Sequence, residues 1–173
     1  MKKNVLVFGL ISGVLISIWM LVSIAFSFHS MLLGYTGMVL ALSLVFVGVK
    51  NYRDKHSGGI ISFGKAFQMG LYIALTASTV YVIAWLIDYY VFIPDFMDKY
   101  SAECLRAAES NGATPAEMKD EIAEIAKMKQ LYQSPVMVVL FTYLEILPVA
   151  LIVPLVTALL LKRKSVDGNI AAA

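Results

Sequence analysis

The chain has 173 residues, of which 60% are hydrophobic and 15% charged, with a formal net charge of +2. An ordinary soluble domain carries roughly 25% charged residues. The mean hydropathy of +0.78 and the gathering of apolar residues into long blocks therefore argue against a water-soluble core. The single cysteine, Cys104, excludes an internal disulfide and leaves a small helix residue or a bridge between subunits as its readings.

Four apolar blocks, 5–28, 31–49, 66–93 and 136–161, meet or approach the required length, since about 20 residues are needed to cross the hydrocarbon core as a helix. Backbone groups in lipid must bond within their own segment, so helices rather than open strands are expected. The predicted fold is an all-α integral membrane protein with four transmembrane helices. A single domain is expected over 1–164, followed by a flexible tail, 165–173.

The first block opens with Lys2 and Lys3 ahead of an apolar stretch, as a signal peptide does. The stretch exceeds the roughly 7–15 residues of a secretory segment, and a second block follows at once, so an uncleaved first span is predicted. Gly9, Gly13 and Ser17 recur every fourth residue and make a face along which a second helix can approach closely. A very short turn near Phe28, His29 and Ser30 is expected to close a hairpin onto the second block.

Next comes a basic loop, 50–65, containing Gly58-Gly59, with Ser62 placed to cap the third helix. Within it, Gly59, Gly64 and Lys65 match a phosphate-binding loop up to the last position. There Ala66 replaces the Ser or Thr that would bind magnesium, and the flanking sequence is not an apolar strand, so nucleotide binding is rejected. Lys65 reads as a headgroup anchor, and the loop as a surface for anionic lipid. The third helix, expected over 63–93, would be about 46 Å long at 1.5 Å per residue. It must tilt or project beyond a ~30 Å hydrocarbon layer. Ala66, Gly70, Ala74 and Ser78 form a second small-residue face, and spans one and three are expected to pack together within one chain. Tyr81, Trp85, Tyr89, Tyr90 and Phe92 read as an interfacial aromatic belt.

Segment 94–135 is predicted to be a helical hairpin. Residues 94–109 have helical composition, and Asn111-Gly112 is a stop signal. Thr114, Pro115 and Glu117 supply the N-cap, first position and third position of a capping box. Met118, Ile122, Ile125 and Tyr132 form an apolar stripe. Packing of that stripe within the hairpin is favoured over packing on the bilayer or on a partner.

The fourth block carries the least expected residue, Glu145. It lies about 25 Å along its helix from Lys162, and Asp88 lies about 34 Å from Lys65 on the same count. No Lys or Arg occurs within a span to pair with either acid. Glu145 is therefore expected to be protonated, hydrogen-bonded to a Ser, Thr or Tyr, or hydrated. Glu145, Asp88 and Pro148 form the candidate intramembrane polar site. It reads either as a neutral structural acid satisfying a neighbouring helix or as a proton-carrying or cation-binding carboxylate. Pro148 and Pro154 remove helical N–H donors, freeing the carbonyls of Leu144 and Ala150 and predicting kinks.

Nine of the 14 basic residues precede span one, lie in 50–65, or follow span four, whereas 94–135 holds eight acids and five bases. Both termini and the 50–65 loop are therefore expected in the cytoplasm, with 94–135 outside. His29 and His56 have no ligand spacing to another His or Cys, so no metal site is expected. No nucleophile–base set is readable, and no catalytic residue or cofactor is predicted.

Leu33-Gly34-Tyr35, Asn51-Tyr52-Arg53-Asp54-Lys55, Gly58-Gly59 and Ile61-Ser62-Phe63-Gly64-Lys65-Ala66-Phe67 carry a family resemblance. So do Tyr81-Val82-Ile83, Pro94-Asp95-Phe96 and Glu145-Ile146-Leu147-Pro148. Together they resemble an uncharacterised bacterial membrane family, domain of unknown function 4199, over most of the chain. The resemblance implies a small four-span protein and no known activity. The function expected is that of a non-enzymatic inner-membrane interaction or accessory subunit, with a small proton- or cation-coupled carrier as the alternative. The bilayer, and a protein partner or second copy, are the expected partners. Nucleic acid is not expected, and a small-molecule substrate is left unassigned.

Overall fold

A computed structural model describes residues 1–25 and 31–162. The expected turn near His29, the basic residues Arg163 and Lys164, and the 165–173 tail lie outside these residues. Among the described residues the elements are helical throughout: α1 (Lys2–Ala25), α2 (Met31–Leu42), α3 (Leu44–His56), α4 (Phe63–Ile87), a π-helical turn (Asp88–Phe92), α5 (Phe96–Ser110), α6 (Pro115–Tyr132) and α7 (Pro135–Leu161). Four stretches are long and apolar enough to cross a membrane: Lys2–Ile24, Leu32–His56, Phe63–Phe92 and Pro135–Leu161. The chain is an all-α, multi-pass membrane protein.

The second span differs most from its expected bounds of 31–49. It continues to His56, so the connecting loop shrinks to residues 57–62, and Lys50, Arg53, Lys55 and Lys65 of the expected basic loop lie on α3 and α4. Hydropathy falls at Lys50, but helix propensity does not, because Lys and Arg are good helix formers. Arg53, Lys55 and His56 occupy the last turn of α3, where cations face the negative end of the helix dipole. The stop comes from glycine. Gly58 and Gly59 adopt φ of +59° and +80°, and Gly59 N–H returns to the Arg53 carbonyl at 3.0 Å. L-residues with a side chain resist that conformation. Between α2 and α3 the helix tightens at Ser43: Phe46 N–H bonds the Ser43 carbonyl, three residues back, at 3.0 Å, and the Ser43 hydroxyl donates to the Leu40 carbonyl at 2.6 Å. Such back-bonding by serine bends helices locally.

Ser62 caps α4 as expected, its hydroxyl accepting the Lys65 N–H at 3.4 Å. The regular helix ends at Ile87 rather than Ile93. A π turn follows, closed by Ile93 N–H on the Asp88 carbonyl at 2.8 Å. Pro94 explains the stop, because the residue before proline is pushed out of the α region.

The chain divides into two compact units, Met1–Val82 with Leu144–Ala173 and Ile83–Tyr143. In the first, Ile16, Leu42, Val45, Met69, Ile73 and Ile146 are at most 1% exposed and centre the core. The second holds the α5–α6 hairpin. There Lys129 pairs with Asp98 at 2.7 Å, and Gly112 (φ +77°) turns the chain between the helices. Thr114 and Glu117 form the complete capping box at the start of α6.

The buried side of α6 is not quite the expected stripe. Ile125 is buried and Met118, Met128 and Tyr132 are half-buried, but Ile122 is 52% exposed. Glu121, half-buried, stands nearer that side in its place, since spacings of three and four are equally helical. The aromatic belt also divides. Trp85 packs edge-on against Phe96 at 4.9 Å, and Tyr89 contacts Phe96 and Tyr132. Tyr90 and Phe92 face outward, the latter 72% exposed.

Candidate functional site

Glu145 lies on the outward side of α7. Ile146, Val149 and Ala150 turn into the core, whereas Leu144, Glu145, Leu147, Pro148 and Leu151 remain exposed on the chain's surface. The carboxyl is nevertheless anchored. Tyr81, itself only 4% exposed on α4, donates its hydroxyl to Glu145 Oε1 at 3.3 Å. A buried tyrosine hydroxyl normally finds an acceptor, and here the acceptor is the acid of the neighbouring helix. A hydroxyl partner is one of the three expectations for Glu145, beside protonation and hydration, and Tyr81 fills that role here.

Pro148 shares the outward face of α7 with Glu145, and Pro154 is buried in the core. Both prolines sit within one continuous helix, Pro135–Leu161. Asp88 belongs to the other unit and opens the π turn. It is 5% exposed, and its Oδ2 is buried without a hydrogen-bond partner. The two acids thus occupy different settings, one outward and hydrogen-bonded, the other inward.

The small-residue faces meet different neighbours. A methyl group placed on Gly9 would stand 2.6 Å from Thr76 Cβ, and one on Gly13 2.6 Å from Val80 Cβ and 2.9 Å from the Ala77 carbonyl. Spans one and three therefore touch at these glycines, but on the α4 side bearing Thr76, Ala77 and Val80. Ser17 is buried beside them and donates to the Gly13 carbonyl at 2.8 Å. The face of Ala66, Gly70, Ala74 and Ser78 is also buried. Gly70 meets Pro154 of α7 and Val45 of α3, at 3.1 and 3.2 Å from an added Cβ. α4 thus uses two sides, one for α1 and another for α3 and α7.

Among the described residues no group of three or more His, Cys, Asp or Glu side chains could hold a metal ion. The stretch resembling a phosphate loop follows helix α3, and Lys65 Nζ sits 5.5 Å from the centre of the Tyr52 ring. That lysine contact is a cation–π arrangement.

A family model described as "Protein of unknown function (DUF4199)" matches residues 7–163. The chain belongs to that family. The DUF4199 match spans all four apolar helices, from the second turn of α1 through the end of α7. No curated protein matches the chain, and neither does any solved structure.

Proposed function

We propose that this DUF4199 protein is a non-enzymatic interaction subunit of the bacterial inner membrane, docking a partner's transmembrane helix against the outward face of α7 at Glu145. The observation that carries this reading is the exposure of Glu145 among Leu144, Leu147 and Leu151. An acid facing hydrocarbon is costly. A carboxylate offers about four acceptor sites, and the Tyr81 phenol supplies one neutral hydrogen bond. A partner helix presenting a hydroxyl, amide or cation would satisfy the group. The distribution of basic residues supports an orientation with both termini in the cytoplasm.

The test is photo-crosslinking in native membranes, with a photoreactive residue at Leu144 or Leu151 and a control at the exposed Leu10 of α1. The expected result is one adduct of discrete mass from the α7 positions, kept in Glu145→Gln and lost in Glu145→Leu. An adduct of twice the chain mass would identify a second copy as the occupant. Equal labelling at Leu10, or adducts indifferent to Glu145→Leu, would overturn the docking reading. The second reading is a proton- or cation-coupled carrier using Glu145 and Asp88. It is favoured by the unpartnered buried Oδ2 of Asp88. Proton flux in liposomes abolished by Glu145→Gln would support it instead.

A further inference from the structure

The first turns of α1 and the last turns of α3 enclose a half-open cleft of about 360 Å³. α1 contributes Lys3, Asn4, Val7 and Phe8, and α3 contributes Asn51, Lys55 and His56. The positions explain the convergence. Lys3 and Val7 are one turn apart, as are Asn51 and Lys55, so each helix turns one stripe toward the other. The polar lining is all basic or amide, with no carboxylate among the residues of the cleft. The nearest acid in sequence, Asp54, is held by Arg53 at 2.7 Å. Asn4 spans the two helices, donating from Nδ2 to the Gly48 carbonyl at 3.5 Å.

The cleft also has a direction. Its lysines stand at the helix ends, and its apolar wall, Val7 and Phe8, leads onto the exposed strip of α1 formed by Leu10, Ile11 and Val14. A free anion would use only the first part. An amphiphile with an anionic head and hydrocarbon tail would use both.

We propose that this cleft holds the phosphodiester headgroup of an anionic glycerophospholipid, with Lys3 and Lys55 pairing to the phosphate, Asn51 donating to its oxygens, and an acyl chain running along Val7, Leu10 and Val14. Basic pockets between transmembrane helices are suited to such headgroups. The site is lined by α1 and α3 alone and does not depend on α7 docking a partner.

The test is native mass spectrometry of the full chain in detergent, titrated with phosphatidylglycerol or with zwitterionic phosphatidylcholine. Lys3→Gln with Lys55→Gln is compared with Lys119→Gln with Lys127→Gln, an equal charge change on the exposed surface of α6. The first pair should weaken phosphatidylglycerol binding about fivefold per lysine, roughly twenty-five-fold together. The second pair should leave binding unchanged, and Lys3→Arg with Lys55→Arg should retain most of it. Millimolar glycerol phosphate should fail to displace the lipid, which separates a lipid site from a free-phosphate site. Equal binding of phosphatidylcholine, displacement by glycerol phosphate, or equal losses in the two Gln pairs would each overturn the proposal.

Discussion

Gly13 shows how a single missing side chain sets the distance between two helices. Lipid tails are as apolar as leucine, so membrane helices gain little from hiding apolar surface and much from close packing. At Gly13 the opposing atoms are Val80 Cβ and the backbone carbonyl of Ala77. A side chain tip can rotate away, but a helix carbonyl cannot. Gly13→Ile is therefore expected to destabilise the protein by ~3 kcal/mol, at the upper end of overpacking costs. Gly34 is the internal control, because a methyl group there meets nothing within 4 Å. Gly34→Ala should be neutral or stabilise by up to ~1 kcal/mol through helix propensity. Thermal unfolding in one detergent checks both, and equal midpoints for the two variants would refute the packing argument. At Glu145 the scale is different. Hydrogen bonds between membrane helices average ~0.6 kcal/mol, so the Tyr81 contact positions the acid more than it holds the bundle together.

The start of α6 is stabilised by reciprocal bonds. Glu117 N–H donates to Thr114 Oγ1 at 3.3 Å, and Thr114 N–H donates to Glu117 Oε2 at 2.7 Å. The Thr114 backbone N–H, then its hydroxyl, favour the ionised Glu117 and hold its carboxyl below the ordinary range despite a small opposing effect of desolvation. A folded-state pKa below the unfolded value gives a contribution fully present above the unfolded pKa and lost as pH falls through the folded one. The amides of Thr114, Glu117 and Met118, which are bonded at this helix start, should therefore exchange their hydrogens faster at acid pH, after correction for intrinsic rates, than at pH 7. Glu117→Gln should flatten that dependence while keeping a weaker box. Exchange that follows only the intrinsic pH profile in the parent protein would count against this account. This helix start was fully legible, because capping chemistry is local and occupies four adjacent residues. The end of α3 was not. The last apolar residue marks where favourable contact with hydrocarbon stops, whereas Lys50 through His56 remain helical until Gly58 and Gly59 end the helix. The π turn at Asp88 was likewise hidden, although Pro94 was a visible reason for a change of backbone before it.

Across the molecule, the number and type of the spans follow from the length of apolar runs, which is why they were readable. The pairing of faces depends on how helices rotate against one another, and small-residue spacing does not encode that rotation. The Ala66–Ser78 face could have met α1; it meets α3 and α7 at Gly70 instead. The cleft of Lys3 and Lys55 was unreadable for a similar reason, since it joins residues from two helices that only the fold brings together. Orientation remains a separate question, set during insertion by basic residues near the ends of spans. Cys104 provides the measurement, being the chain's one cysteine, free and partly exposed on α5. The charge asymmetry predicts that α5 lies outside. A membrane-impermeant maleimide should therefore label the unmodified protein in sealed right-side-out vesicles. In a Cys104→Ser background, Ser57→Cys in the loop after α3 should react only once the vesicles are opened. The reverse pattern would invert the topology, and with it the side on which the basic ends of α1 and α3 meet their lipid.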